Sequence, residues 1–113
     1  MPITLGQLPK ISEGDTDTVA IDFTDLLDSG ETLTGTPTIV EVTTSDLTIT
    51  SKSVSGTALT ILGRLVSTAM AVQCKISGQQ NNTDGTPKLY RVRVTVSTTA
   101  SRTFVRDFTF QAY

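Results

Sequence analysis

Along this 113-residue chain, apolar and polar side chains alternate with a period of two in segment after segment, the spacing that sends successive side chains to opposite faces of a β-strand. In residues 17–24, Val19, Ile21 and Phe23 share one face, opposite Thr18, Ala20, Asp22 and Thr24. Met70, Val72, Cys74 and Ile76 alternate in the same way against Ala71, Gln73, Lys75 and Ser77. The strongest pattern sets Tyr90, Val92, Val94 and Val96 against Leu89, Arg91, Arg93 and Thr95. Residues 38–43 follow Pro37 and carry β-branched side chains on both faces, which predicts a central strand with its outer face partly covered. Residues 47–50 and 58–62 predict the two arms of a hairpin. In residues 102–111 the phase of Phe104, Phe108 and Phe110 also places Arg106 inside, a conflict that a β-bulge near residues 105–107 would relieve.

The breaks between these segments are polar and rich in turn formers. Asp25-Leu26-Leu27-Asp28-Ser29-Gly30-Glu31 predicts an irregular connection closed by side-chain-to-backbone bonds. Residues 78–87, bounded by Gly78 and Pro87, offer nothing to bury and predict the most mobile loop. Pro2, Gly6, Pro9 and Gly14 mark residues 1–14 as an extended arm holding at most an edge strand. About seven antiparallel strands in residues 15–113, at the turn spacing of a sandwich, predict one all-β domain with two sheets over a shared core.

Composition supports that reading and narrows function. Threonine supplies roughly a fifth of the chain, a bias suited to half-exposed strands. A net charge of -2 gives no field to draw the protein to nucleic acid or an anionic membrane. The chain shows neither a signal-peptide pattern nor a membrane-length apolar run, so synthesis in the cytoplasm is expected. Its single cysteine, Cys74, cannot form an internal disulfide.

Histidine is absent, which removes the commonest acid-base group near neutral pH and the commonest nitrogen ligand for zinc or copper. Cys74 falls on an inward row and reads as a small core residue, not a nucleophile. Asp15, Asp17, Asp22, Asp25, Asp28 and Glu31 are dense, but no twelve-residue calcium loop follows them. No catalytic, cofactor-binding or metal-binding constellation is therefore expected. Lys75, Arg91 and Arg93 point outward as a basic stripe, with Glu41 and Asp107 on neighbouring strands as cross-strand counter-charges.

Three features together carry a resemblance: the strand Thr18-Val19-Ala20-Ile21-Asp22-Phe23, the connection Leu27-Asp28-Ser29-Gly30-Glu31-Thr32-Leu33, and a closing pair of strands with Arg102-Thr103 and Arg106-Asp107-Phe108-Thr109-Phe110. These resemble small immunoglobulin-like structural proteins of tailed bacteriophages. The turn Ser97-Thr98-Thr99-Ala100-Ser101 departs from that pattern by lacking a glycine. The resemblance implies an immunoglobulin-like β-sandwich and a virion structural protein without cofactor. Its first expected role is capsid decoration: an arm bearing Ile3, Leu5, Leu8 and Ile11, with Arg91 and Arg93 on the sandwich, would grip the major capsid protein or other virion proteins. Trimers follow by analogy with the local symmetry of shells. The alternative is a tail- or fiber-associated adhesion module that binds host-surface molecules through residues 79–84.

Overall fold

The computed structural model describes residues 10–42, 44–61 and 63–112, apart from the side chains of Lys10, Ile11 and Arg64. Nine strands form among these residues: β1 (Lys10–Ile11), β2 (Asp17–Asp22), β3 (Leu33–Glu41), β4 (Thr48–Val54), β5 (Leu59–Ile61), β6 (Arg64–Val66), β7 (Ala71–Ser77), β8 (Leu89–Thr98) and β9 (Thr103–Ala112). A single 3-10 turn covers Thr24–Leu26. One sheet runs β1-β9-β8-β3, a second runs β2-β7-β4, and β5-β6 is a separate hairpin. Every pairing is antiparallel except that of β1 with β9.

The period-two rows become the core. Val19 and Ile21 from β2 and Val72, Cys74 and Ile76 from β7 meet Ile39, Tyr90, Val92, Val94, Val96, Phe104, Phe108 and Phe110 from the facing sheet in one buried cluster. Each such side chain contributes roughly 1.5–3 kcal/mol by leaving water. Two stacked aromatic pairs, Tyr90 with Phe110 and Phe23 with Phe104, lie within that layer.

Several expectations need correction. Residues 38–41 belong to a strand at the edge of its sheet, bonded to β8 alone; the apolar side chains on its outer face are exposed, not covered. The arms 47–50 and 58–62 do not pair with each other: β4 joins β7, and β5 joins β6. The β5-β6 hairpin instead folds over the outer face of the three-stranded sheet, where Ile61 and Val66 bury Ala71 beside Ala20. β8 and β9 keep one register from Leu89↔Gln111 to Ser97↔Thr103, so there is no bulge at 105–107. Register shifts occur instead between Thr34 and Thr38 and between Thr50 and Ser53, where Gly35 and Ser51 take positive φ.

The polar stretch after β7 does bury a side chain. Gln79 is 1% exposed, and its Nε2 donates to the carbonyls of Ser12 and Asp15, each at 2.7 Å. The glycine missing from the turn before β9 is replaced by Ser101 in the left-handed region, φ 61°, as the last residue of a three-residue hairpin loop.

Candidate interaction surface

Two polar networks fix the ends of the sandwich. Tyr90, fully buried at the start of β8, accepts the amide of Gln80 at 2.9 Å and donates to Asp46 Oδ2 at 2.9 Å. Lys88 Nζ reaches the same carboxylate oxygen at 2.8 Å; these bonds hold the Asp46 carboxyl below its ordinary pKa, with Lys88 the leading cause. At the other end Glu31, 4% exposed, receives Arg102 Nη2 on one carboxylate oxygen and Arg102 Nε, at 2.9 Å, on the other. Thr98 Oγ1 and the amide of Asp28 also donate to it. The Arg102 guanidinium, then Thr98, then that amide bring the Glu31 carboxyl down to about 2.

Between these ends lies the outer face of the four-stranded sheet, whose rows follow from strand register. Val40, Arg93 and Asp107 form one row, and Thr38, Thr95 and Val105 the next. Val42, whose amide donates to the Arg91 carbonyl at 2.9 Å, extends a third row through Arg91 to Thr109. Arg93 is anchored by two bonds to Asp107, Nε to Oδ1 at 2.9 Å and Nη2 to Oδ2 at 3.1 Å. That fork holds the Asp107 carboxyl below its usual range. Five large hydrophobic side chains are exposed among the described residues, and four of them, Val40, Val42, Leu89 and Val105, lie on this face.

Of the residues expected to touch partners, Arg91 and Arg93 stand together on this face, Arg93 as half of an ion pair with Asp107. Ile11 lies in β1 along the end of β9. Ile3, Leu5 and Leu8 lie outside the described residues. The exposed valines had a signal in the sequence, since Ile39, Val40 and Val42 put apolar side chains on both phases of one strand. Periodicity alone cannot tell a covered outer face from an open one.

Nothing gathered here resembles a reaction centre. Cys74 is buried in the core, and burial pushes its thiol up to about 11. No three His, Cys, Asp or Glu residues cluster to hold a metal ion among the described residues. Residues 12–111 match the family model described as podophage GP4 fiber-tail adaptor protein gp77. The chain belongs to that family. No curated protein and no solved structure gives a significant match.

Membership in the fiber-tail adaptor family makes this a virion-associated, non-catalytic structural protein of a tailed phage. It also corrects the expected role. The protein is a tail- and fiber-associated adaptor, not a capsid decoration protein, and its partners are tail and fiber components, not the major capsid protein. The trimer drawn from shell symmetry loses its basis with that correction. Tail or fiber association, the alternative read from the sequence, agrees with the family.

Proposed function

We propose that this chain is an immunoglobulin-like adaptor module joining fiber to tail in a podophage, and that the outer face of its four-stranded sheet is a contact surface. The observation that carries the reading is the family match across residues 12–111. Strand order supports the immunoglobulin-like assignment: β2-β7-β4 against β1-β9-β8-β3 follows the division of such domains into a B-E-D sheet and a G-F-C sheet. Tyr90 supports it too, because a tyrosine at the start of the F strand bonded to backbone upstream is a hallmark of these domains. In this scheme β5-β6 is a hairpin inserted between the D and E strands.

Arg91 and Arg93, with the exposed Val40, Val42, Leu89 and Val105, supply a mixed apolar and cationic face suited to protein docking. We propose further that residues 1–14, through Ile3, Leu5, Leu8 and Ile11, supply a second contact beside the domain of residues 15–113. Cryo-electron microscopy of virions carrying a tagged chain tests the placement. Density at the junction of tail and fiber is expected; density spread over the head surface would defeat the proposal.

A further inference from the structure

Residues 12–15 and 77–81, distant in sequence, meet at one end of the sandwich. The first segment is a tight turn. The Asp15 amide donates to the Ser12 carbonyl at 3.1 Å, and Gly14 takes φ 88° at the third position, where a type II turn requires a positive φ. The second segment is the end of β7 and the chain leaving it. The two face each other across a cleft of about 490 Å³, lined by Glu13 and Asp15 on one side and by Ser77, Gly78, Gln79 and Gln80 on the other. This cleft lies past the C-terminal end of β1, the end remote from residues 1–9.

The cleft carries oxygens in excess of donors. Gln79 is 1% exposed, and its Nε2 is committed to the carbonyls of Ser12 and Asp15. Carbonyl oxygens only accept, so these two bonds fix which end of the amide is oxygen. That oxygen, Oε1, is buried without a hydrogen-bond partner; Asn81 Oδ1, in the same loop, is the other such side-chain atom among the described residues. Buried acceptors are almost always paired, so two bare ones in one loop call for a donor or a cation. Glu13 and Asp15 supply negative charge beside them. Neither forms an ion pair with a described residue. Glu13 Oε2 accepts the Asn81 amide at 3.0 Å, which ties the two segments together and leaves its second oxygen available. A bound water would pair the bare oxygens but leave both carboxylates uncompensated, whereas a divalent cation answers both.

We propose that this cleft binds a divalent cation of calcium size, held by the Glu13 and Asp15 carboxylates and Gln79 Oε1, with waters completing its shell. Calcium takes about six to eight oxygen ligands in irregular geometry, amide oxygens included, whereas magnesium demands a near-ideal octahedron that a turn facing a loop does not preset. Two acids are fewer than a dedicated calcium loop provides, so a Kd of about 10⁻⁴–10⁻³ M is expected. The ion clamps the turn after β1 onto the loop after β7, and this role is independent of the adaptor reading. The site was hidden in the sequence because only the fold brings residues 12–15 to Gln79.

The test adds calcium chloride to chelator-treated full-length chain, with heat followed by calorimetry and amides followed by NMR. Binding in the stated range, a shift of the Gln79 side-chain amide, and slower exchange at the Asp15 and Asn81 amides are expected. Glu13→Gln and Asp15→Asn change exposed side chains, keep their shape and remove one charge each. Each should weaken calcium binding by about tenfold or more. Asp17→Asn alters the next acid in the chain, at the start of β2 and outside the cleft, and should bind as wild type does. Neither heat nor an amide shift at about 10 mM calcium would overturn the proposal. Equal weakening by Asp17→Asn would overturn it as well, since attraction to diffuse charge would then explain the binding. Magnesium binding more tightly than calcium would overturn the choice of ion. Should Glu13→Gln or Asp15→Asn fail to fold, the wild-type shifts decide: shifts centred on residues 12–15 and 77–81 support the site, and shifts found only elsewhere defeat it.

Discussion

At the residue scale, the most informative side chains are polar ones placed where apolar ones are expected. Glu31 is an acid buried at the end of a β-sandwich, and it persists there because Arg102, Thr98 and the Asp28 amide each donate to its carboxylate. Phe104 extends the same network into the core, with the Arg102 and Arg106 guanidinium groups 5.0 and 5.6 Å from its ring centre. The Glu31 pKa falls from 4.5 to about 2 on folding, so between these values the unfolded chain binds the extra proton and stability rises with pH. The contribution is fully present above about pH 4.5 and is lost as pH falls through about 2. Replacing Glu31 by Gln should therefore lower Tm at neutral pH and flatten the dependence of Tm on pH across that window. Thermal melts of both chains between pH 2 and 6 check this. Parallel curves for the two would show that the slope originates elsewhere.

At the scale of elements, the connections carry more of the structure than their composition suggests. Gly78 leaves β7 at φ 87° and passes so close to the 44–47 connection that a Cβ on it would lie 2.4 Å from the Asp46 carbonyl oxygen. That crossing sets Asp46 where Lys88 and Tyr90 can reach it. Gly78→Ala combines left-handed strain with a backbone clash and should cost about 2–4 kcal/mol, read as a lower urea midpoint at unchanged m-value. A midpoint within error of wild type would show that the crossing relaxes freely. The same elements show what was legible beforehand. Alternation located β2, β7, β8 and β9 and their buried rows, because one face of each meets the core and the other does not. It misplaced the partners of β4 and β5, since pairing is decided by contacts distant in sequence, which no local pattern encodes. It also suggested a bulge at Arg106, because a charged residue on an inward phase reads as an error of phase, whereas the register runs unbroken and the exposed guanidinium turns back onto the Val105 carbonyl. Gln79 was invisible for a related reason: a glutamine in a polar run gives no sign that two carbonyls from residues 12–15 will close over it. The candidate face was legible only in part, through Arg91 and Arg93, while its exposed valines and Leu89 were hidden among residues that looked like core.

At the scale of the whole molecule, the two sheets treat their outer faces differently. The three-stranded sheet has part of its outer face covered by the chain's own β5-β6 hairpin, which buries Ala71 completely. The four-stranded sheet has no such cover among the described residues, and it carries four exposed large hydrophobic side chains in rows around the Arg93–Asp107 pair. An adaptor has to hold two partners at once, and this outer face, uncovered among the described residues, offers a surface for one of them. This asymmetry yields a controlled prediction. Val40→Asp and Leu89→Asp change side chains that are already about half exposed, so each should shift stability by less than about 0.5 kcal/mol. Together they should weaken binding to fiber or tail components by about tenfold or more, because a docked face would have to bury two new charges. Leu65→Asp is the matched control: Leu65 is the most exposed of the five side chains, at 73%, and lies on β6, away from this face. It should leave binding unchanged. Loss of binding on Leu65→Asp, with the paired substitution silent, would move the contact to the hairpin side and show that β5-β6 is the docking element.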